Sequence, residues 1–187
     1  YSRPINQQWT FGVGLNAPFG LTTDYADGWV GRYHALTSEL HTVNINPSLA
    51  YKASDTLSLG FGLSAQYADA TLTNAVDFGT IFGIGGQAND GEAKVEGDDW
   101  SFGYNLGLMW QATPQTRIGV AYRSRIKHKL EGDLKFKSSA LVQGIIAGAG
   151  GPFGKTEAPA DIPLPDSRSV GLNHELDSNW TVNSDVQ

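Results

Sequence analysis

The most regular feature of the sequence is an alternation of large apolar residues with small or polar ones. It is clearest over residues 57–68, LSLGFGLSAQYA, where leucine, phenylalanine and tyrosine alternate with glycine, serine and glutamine. A two-residue period places the two classes on opposite faces of an extended chain. The same period recurs at residues 9–15, 36–52, 100–111, 118–129, 168–174 and 180–186. The pattern predicts about seven strands, the last two forming a hairpin around residues 176–179.

The two faces of these strands differ in a way that favours a membrane barrel over a soluble sheet. One face carries bulky residues with almost no charge, and the other carries mostly glycine, serine, asparagine, glutamine and arginine. A soluble sandwich directs lysine, glutamate and threonine at water instead. The predicted connections also alternate in length, with short turns at residues 53–56 and 112–116 and long loops at residues 74–98 and 136–165. Tight periplasmic turns and long external loops are typical of antiparallel transmembrane β-barrels.

Aromatic residues lie at both ends of the predicted strands. The set at the short turns comprises Trp9, Tyr51, Trp110 and Trp180, and the set at the long loops comprises Tyr67 and Trp100. Amphipathic rings at these positions are expected to form belts at the two membrane interfaces. The alternative is that the rings fill a protein core.

Composition narrows the class further. The chain has 187 residues, 40% hydrophobic, a formal net charge of -6 and no cysteine. It therefore has no thiol chemistry and no basic character that suggests nucleic acid. No apolar run reaches the roughly 18 residues of a spanning helix, whereas barrel strands need only about 9 to 11 alternating residues. Seven strands are too few and of the wrong parity for a closed bacterial barrel, so we expect the chain to be a mature or truncated piece of a longer protein.

The sequence carries no recognisable catalytic or metal-binding pattern. The four histidines show no HExxH or i,i+4 spacing, and the GxG patterns are strand alternation. Asp98 and Asp99 fit a solvated loop end better than a catalytic pair. We therefore expect neither an enzyme nor a cofactor.

The alternation that begins at Trp9 stops at Ala17, Pro18, Phe19 and Gly20, and then resumes. Pro18 has no N–H for a neighbouring strand, and glycine permits backbone angles that other residues avoid. On the residues alone, a turn that ends the strand is the favoured interpretation. The alternative is a local opening of the hydrogen-bond ladder, which in a barrel wall is a hole.

Both long loops are more apolar than water-exposed connections usually are. Their large apolar residues are Val76, Phe78, Ile81, Phe82, Ile84, Leu141, Val142, Ile145, Ile146 and Phe153. One interpretation is that the loops only pack on each other. The other is an apolar groove outside the barrel that captures a hydrophobic ligand, and residues 138–149 are expected to form a short amphipathic helix there.

Basic residues recur on one predicted face, at Arg123, Arg125, Lys127 and Lys129. In the predicted register they point into the lumen. They are equally suited to receive a ligand carboxylate and to pair with acidic residues of the lumen.

Three stretches of the chain resemble the outer-membrane long-chain fatty acid transporter family, the FadL-type proteins that include porins for aromatic hydrocarbons. They are GVGLNAPFGLTTDY, NINPSLAYKASDTLSLGFGLSAQYADATL and WSFGYNLGLMWQATPQTRIGVAYRSRIKHKLEGD. The resemblance covers about residues 8–180. It implies a lateral opening through the barrel wall at Ala17, Pro18, Phe19 and Gly20, and ligand capture by the apolar loops. The family's N-terminal plug, with its Asn-Pro-Ala motif, and the second half of the barrel are absent from this sequence.

One departure from the family concerns the ligand. Where the fatty acid transporters carry a basic head-group residue, this chain has Asn74. The substitution leaves room for a neutral hydrocarbon.

The sequence thus predicts part of one outer-membrane β-barrel domain, residues 1–187, that acts as a monomeric passive channel. Its expected partners are a hydrophobic small molecule, a fatty acid or a hydrocarbon, and the lipid of the bacterial outer membrane. Two alternatives are a soluble lipid-binding β-barrel and a structural or adhesive outer-membrane barrel.

Overall fold

A computed structural model of the chain describes residues 1–85, 87–149, 156–157 and 159–187. These residues form one antiparallel sheet, two short α-helices and a 3₁₀ turn at Gln87–Asn89. The strands are β1 (Ser2–Pro4), β2 (Trp9–Asn16), β3 (Gly20–Asp24), β4 (Thr37–Lys52), β5 (Leu57–Val76), β6 (Gly91–Thr113), β7 (Thr116–Arg123), β8 (Ile126–Lys137), β9 (Thr156–Glu157), β10 (Ala160–Leu164), β11 (Ser167–Glu175) and β12 (Thr181–Val186). The helices are α1 (Phe78–Ile81) and α2 (Ala140–Ala149). Neither helix is long and apolar enough to cross a membrane.

Three of the long strands are built in two pieces. Strands β2 and β3 both pair with β4, β7 and β8 both pair with β6, and β11 and β10 pair with β7 and β8 respectively. With each pair counted as one strand, the described sheet has the order β1, β2/β3, β4, β5, β6, β7/β8, β10/β11 and β12. This sheet is open, and apart from the three-residue β1 it corresponds to the predicted seven-strand part of a larger antiparallel barrel.

The large apolar residues lie on the outer surface, as the alternation predicts. Phe61 on β5 is 46% exposed and Phe102 on β6 is 76% exposed, whereas Ser64 and Gln66 on the opposite face of β5 are buried. We call the face that carries Ser64 and Gln66 the inner face. An apolar exterior with a small polar interior is the arrangement of a membrane barrel rather than of a soluble sheet.

Pro47 lies inside β4 without interrupting it. A proline has no N–H to donate to the next strand, and here the Asn46 side chain donates instead, with its Nδ2 atom 2.6 Å from the carbonyl oxygen of Leu63. The Asn46 Nδ2 atom also lies 2.7 Å from Asn105 Oδ1 on β6. A side chain therefore replaces the missing backbone bond and links three strands on the inner face.

The strands on either side of the first long loop extend further than predicted. Strand β5 continues to Val76 and β6 begins at Gly91, with the two paired in register along this extension. The loop is therefore residues 77–90 rather than 74–98. On the loop side of Tyr67 and Trp100, whose ring centroids are 5.4 Å apart, the large apolar residues no longer alternate. The backbone hydrogen bonds between β5 and β6 continue there, because strand pairing does not require an apolar face.

One part of the sheet leaves the wall and folds inward. Residues 126–130 of β8 and 160–164 of β10 pair with each other, and we call these two segments the inner hairpin. Its buried side chains are Ile126, His128, Leu130 and Leu164. Leu130 packs against Ala68 and Ala70 on the inner face of β5. The prediction of one continuous strand through residues 118–129, with Ile126 on the outer face, is therefore wrong.

Candidate functional site

The first element of the candidate site is the break between β2 and β3. Strand β2 ends with Asn16 opposite Asn44, and β3 begins with Gly20 opposite His41. The three residues between them have no partner in the described ladder. The structure therefore interrupts the strand at the APFG segment and continues it along the same neighbour, which is not how a turn behaves. Whether ligands pass through this break stays a prediction.

A single threonine holds the interrupted backbone in place. The Phe19 N–H donates to Thr42 Oγ1 at 3.1 Å, and the Thr42 hydroxyl donates to the Phe19 carbonyl oxygen at 2.6 Å. Thr42 is only 2% exposed. One side chain thus satisfies both backbone groups of Phe19, which the ladder leaves without a partner.

Replacing Thr42 is expected to lower the stability of the barrel by removing the hydrogen bonds that hold the interrupted segment. Thr42→Val keeps the shape of the side chain but leaves both backbone groups of Phe19 without a partner, at a cost of about 1–3 kcal/mol for each group that remains buried. Thr42→Ser keeps the hydroxyl and is expected to stay close to the wild type. Urea unfolding in lipid vesicles measures both variants, and equal stability of the valine and serine variants would contradict this role for the hydroxyl.

The Phe19 side chain faces the interior and meets the inner hairpin. It lies with Ile126, Leu164 and Pro165 around a contact that leaves no space for a water molecule. Asn44, 2% exposed, is part of the same contact, and its Oδ1 atom has no hydrogen-bond partner. The inner end of the break is therefore closed, with these apolar side chains meeting polar ones from the wall, among them Ser64 and Gln66.

A larger cavity adjoins this contact on the inner side. It has a volume of about 840 Å³ and is lined by residues of β6, β7 and β11 together with Pro18 and Phe19. Arg123 also lines it. A cavity of this size accommodates a drug-sized or fatty molecule, and it lies next to the break.

The structure does not bring the predicted basic residues together on one face. Arg123 lines the cavity at the end of β7, whereas Arg125 lies in the next break and its Nη2 atom is 3.6 Å from Asp166 Oδ1. Lys127 and Lys129 are exposed, on the side of the inner hairpin opposite the buried His128. Among the described residues, Arg125 thus pairs with an acidic residue, Arg123 lines the cavity, and Lys127 and Lys129 lie on the exposed side of the inner hairpin.

Asn74 is remote from these basic residues. It lies on β5 opposite Ala93, well beyond the inner hairpin, and its Nδ2 atom donates to the carbonyl oxygen of Ala75 at 3.0 Å. It is half-buried. Its place near the first loop allows contact with an entering ligand but not joint action with Arg123.

The first apolar loop is organised around Phe78, which is fully buried. Its ring stacks on Phe82 at 5.8 Å between centroids and meets Phe136 edge-on at 6.3 Å. Asp77 caps α1 by accepting from the Thr80 N–H and hydroxyl, and these bonds lower the pKa of the Asp77 carboxyl. Phe78 is therefore part of a packed loop core, and a ligand cannot reach it directly.

The remaining predicted loop residues differ in their exposure. Val142 on α2 is fully buried, whereas Ile81 is 52% and Leu141 is 59% exposed. Half-buried positions are Val76, Phe82, Ile84, Ile145 and Ile146. Phe153 lies outside the described residues. The helix predicted at residues 138–149 is present as α2, and an apolar surface therefore remains on both loops.

A third loop, residues 25–36, is tied to the first one by a buried cation that the sequence did not reveal. The Arg32 Nε atom donates to Asp90 Oδ2 at 3.0 Å, and the Tyr33 hydroxyl donates to the same carboxylate. The bond to Asp90 raises the pKa of the Arg32 guanidinium, while burial raises the pKa of the Tyr33 phenol. This network holds the loops above the wall in a fixed arrangement.

Groups of histidine and carboxylate side chains able to hold a metal ion do not occur within the described ranges. The candidate site comprises two apolar loops, a cavity beside the inner face and a break in the wall.

Comparison with known proteins adds independent information. A family model described as "Outer membrane protein transport protein (OMPP1/FadL/TodX)" matches residues 1–187. The long-chain fatty acid transport protein of Escherichia coli O6:H1 is 26% identical over 198 residues, which cover 96% of this chain and 44% of that protein. A putative outer membrane protein of Neisseria meningitidis serogroup B is 31% identical over 202 residues, covering 97% and 43%.

Solved structures have the same fold. A Pseudomonas aeruginosa FadL homologue has a TM-score of 0.86 and 24% identity, with 98% of this chain and 46% of that chain covered. The Ralstonia pickettii toluene transporter TbuX has a TM-score of 0.67 and 22% identity, with 96% and 51% covered. The chain thus spans about half the length of the proteins it matches.

Proposed function

This chain belongs to the OMPP1/FadL/TodX family of outer membrane transport proteins, and from that premise we propose that it forms part of a passive channel for hydrophobic compounds. Members of this family are transporters rather than enzymes, and the chain is located in the bacterial outer membrane as part of an antiparallel β-barrel. The relatives named above are a long-chain fatty acid transport protein and a toluene transporter. We therefore propose a fatty acid or a hydrocarbon as the ligand.

We propose that residues 1–187 are part of a single barrel domain that functions as a monomer. The described sheet ends in β1 and β12, and an unpaired strand edge is not tolerated in lipid. The remaining wall strands and the plug then lie in the part of the protein outside this chain. Its share of the relatives' length, 44% and 43%, supports this division.

Capture begins at the apolar loops. Ile81 and Leu141 present exposed apolar surface, while Phe78 and the network around Arg32 keep the first loop in place. Burying apolar surface contributes about 25 cal/mol per Å², so an aliphatic tail binds there without any charge contact. The ligand passes Asn74 near the first loop and then enters the cavity lined by Arg123, and these two residues and the exposed Lys127 are available to a polar head group at different stages of the path.

Exit takes place sideways through the break at Ala17, Pro18, Phe19 and Gly20. A long apolar molecule in a watery lumen gains free energy by moving into lipid rather than into the periplasm. The observation that carries the proposal is the strand that stops at Asn16 and resumes at Gly20 along the same neighbour, next to an 840 Å³ cavity. Neither a cofactor nor an energy source is needed for this path.

The experiment that tests the function is uptake of labelled oleate and toluene by cells that lack their own transporter and express the intact protein. Saturable uptake of at least one compound is expected. The double variant Ile81→Ser and Leu141→Ser is expected to raise the concentration for half-maximal uptake about tenfold, since losing about 1.4 kcal/mol of apolar binding has that effect.

Val30→Ser is the matched control, because Val30 is a 91% exposed apolar residue in a different loop. It is expected to leave the uptake curve unchanged. Uptake no faster than in cells without the protein would exclude the channel, and an unchanged curve for the double variant would exclude capture by these two residues.

A further inference from the structure

The inner hairpin separates from the wall over a defined stretch. The pairing of β6 with β7 ends at Asn105 and Arg123, and its pairing with β8 begins at Asp98 and Glu131. Between these points, residues 99–104 of β6 have no ladder partner on that side in the described sheet. The chain here passes under β6 and β5 instead of alongside β6.

Side chains of β6 hold the displaced hairpin in register. The Ser101 hydroxyl donates to the Lys127 carbonyl oxygen at 2.8 Å, and the Lys129 N–H donates to Asp99 Oδ2 at 3.3 Å. The Tyr104 N–H donates to Ser124 Oγ at 2.9 Å. In this stretch, hydrogen bonds through side chains take the place of pairing between the two backbones. They hold the hairpin about one side chain's length inward from β6.

A buried histidine ties the hairpin to two strands at once. His128 is fully buried, with its Nδ1 atom 3.0 Å from Asp99 Oδ2 on β6 and its Nε2 atom 3.1 Å from Gln66 Oε1 on β5. Leu130 packs on the two alanines of β5. A buried polar contact of this kind fixes one arrangement, because its groups lose their partners in any other.

The lower end of the hairpin reaches the break in the wall. Ile126 and Leu164 lie opposite each other in the β8–β10 pair and are 4% and 5% exposed. Together with Phe19 they surround the contact that has no space for a water molecule. The cavity already borders Pro18 and Phe19, so a molecule leaving it through the break passes beside this contact, and a wide one must displace at least one of these three side chains.

We infer that Leu164 and Ile126 set the width of the exit and thereby select ligands by cross-section. The inference rests on the proposed lateral exit. Phe19 is carried by the interrupted segment, whereas Leu164 and Ile126 are carried by a hairpin fixed by His128, so the hairpin forms the stiff side of the constriction. Slim chains pass after a small displacement of Phe19, and bulky cages are held back.

The test compares two acids with the same head group and different cross-sections, decanoate and adamantane-1-carboxylate. Uptake of both is measured in cells expressing the intact protein. Leu164→Ala is expected to raise the adamantane-to-decanoate uptake ratio at least about threefold, a change that corresponds to only about 0.65 kcal/mol in the barrier. Leu164→Trp is expected to lower the ratio by a similar factor.

Leu172→Ala is the matched control, since Leu172 lies on the outer surface of β11 and is 40% exposed. It is expected to keep the wild-type ratio. Ile126→Ala tests the second residue and is expected to act as Leu164→Ala does, so the inference remains testable if the Leu164 variants fail to fold. Folding is checked by heat-dependent mobility in gels.

The outcomes separate the two levels of the argument. Wild-type uptake of decanoate with an unchanged ratio in the folded Leu164 and Ile126 variants would overturn the constriction while leaving the channel intact. If the wild type took up none of the four compounds, the two acids, oleate and toluene, the proposed function would be overturned and the constriction with it.

Discussion

Gly20→Arg is expected to lower uptake of hydrophobic compounds about tenfold or more while leaving the barrel folded. Gly20 is the first residue of β3 and pairs with His41 at the outer side of the break. A Cβ atom added there meets only the Leu40 carbonyl oxygen, at 3.9 Å, so a side chain can begin there without moving the backbone. A hydrated guanidinium at the exit obstructs an apolar ligand, and a barrier raised by about 1.4 kcal/mol already slows passage tenfold.

The matched control is Gly28→Arg in the loop between β3 and β4. An added Cβ at Gly28 has no neighbour within 4 Å, so the same change in size and charge is made away from the break. Wild-type uptake by the Gly28 variant is expected. The measurement is the initial uptake rate normalised to folded protein in outer membranes. Undiminished uptake by a folded Gly20 variant would rule out lateral exit through this segment.

The strands and their faces were predictable because they follow from local chemistry. A two-residue period in residues 57–68 is sufficient to place Phe61 outside and Ser64 inside, and the structure has them there. The period likewise located the main wall strands, but not the short β1 or the division of several strands into two pieces. The break between β2 and β3 was visible as a proline that interrupts the period, although the residues alone favoured a turn.

The inner hairpin was not predictable from periodicity. Ile126, His128 and Leu130 alternate with lysines, as the outward residues of a wall strand alternate with its lumen residues. The two-residue period alone does not tell whether the less polar face contacts lipid or the protein interior. The distinguishing signal lies on another strand, where Ala68 and Ala70 leave room for a layer above them. The fit between these small residues and Leu130 can be recognised only when the two segments are known to be in contact.

The contacts of Thr42 and Phe78 could not be read from the sequence for a related reason. Thr42 looks like any small polar residue of the inner face, and its importance comes from the two backbone groups of Phe19 that it satisfies. Phe78 was predicted to contact ligand because it is apolar and lies in a loop. Phe78 is instead buried against Phe82 and Phe136, and this packing fixes the loop that carries the exposed Ile81.

The orientation of the wall in the membrane leads to the second large expected effect. Leu106 on β6 lies opposite Phe61 on the outer surface and is 47% exposed, whereas Gly107 lies opposite Gly60 on the inner face. Leu106→Arg places a charge in lipid and is expected to destabilise the barrel by about 2–4 kcal/mol. Gly107→Arg points into the lumen, where an added Cβ has no neighbour within 4 Å, and is expected to leave stability nearly unchanged.

Urea unfolding of the intact protein in lipid vesicles compares the two variants directly. Both variants introduce the same charge at adjacent positions of one strand. A difference in their stability therefore shows which face of β6 contacts lipid. The mechanism depends on this asymmetry, since an exit through the wall is useful to an apolar ligand only if lipid lies on the other side. Equal destabilisation by the two variants, or a larger loss for Gly107→Arg, would contradict the orientation and remove the physical reason for lateral release.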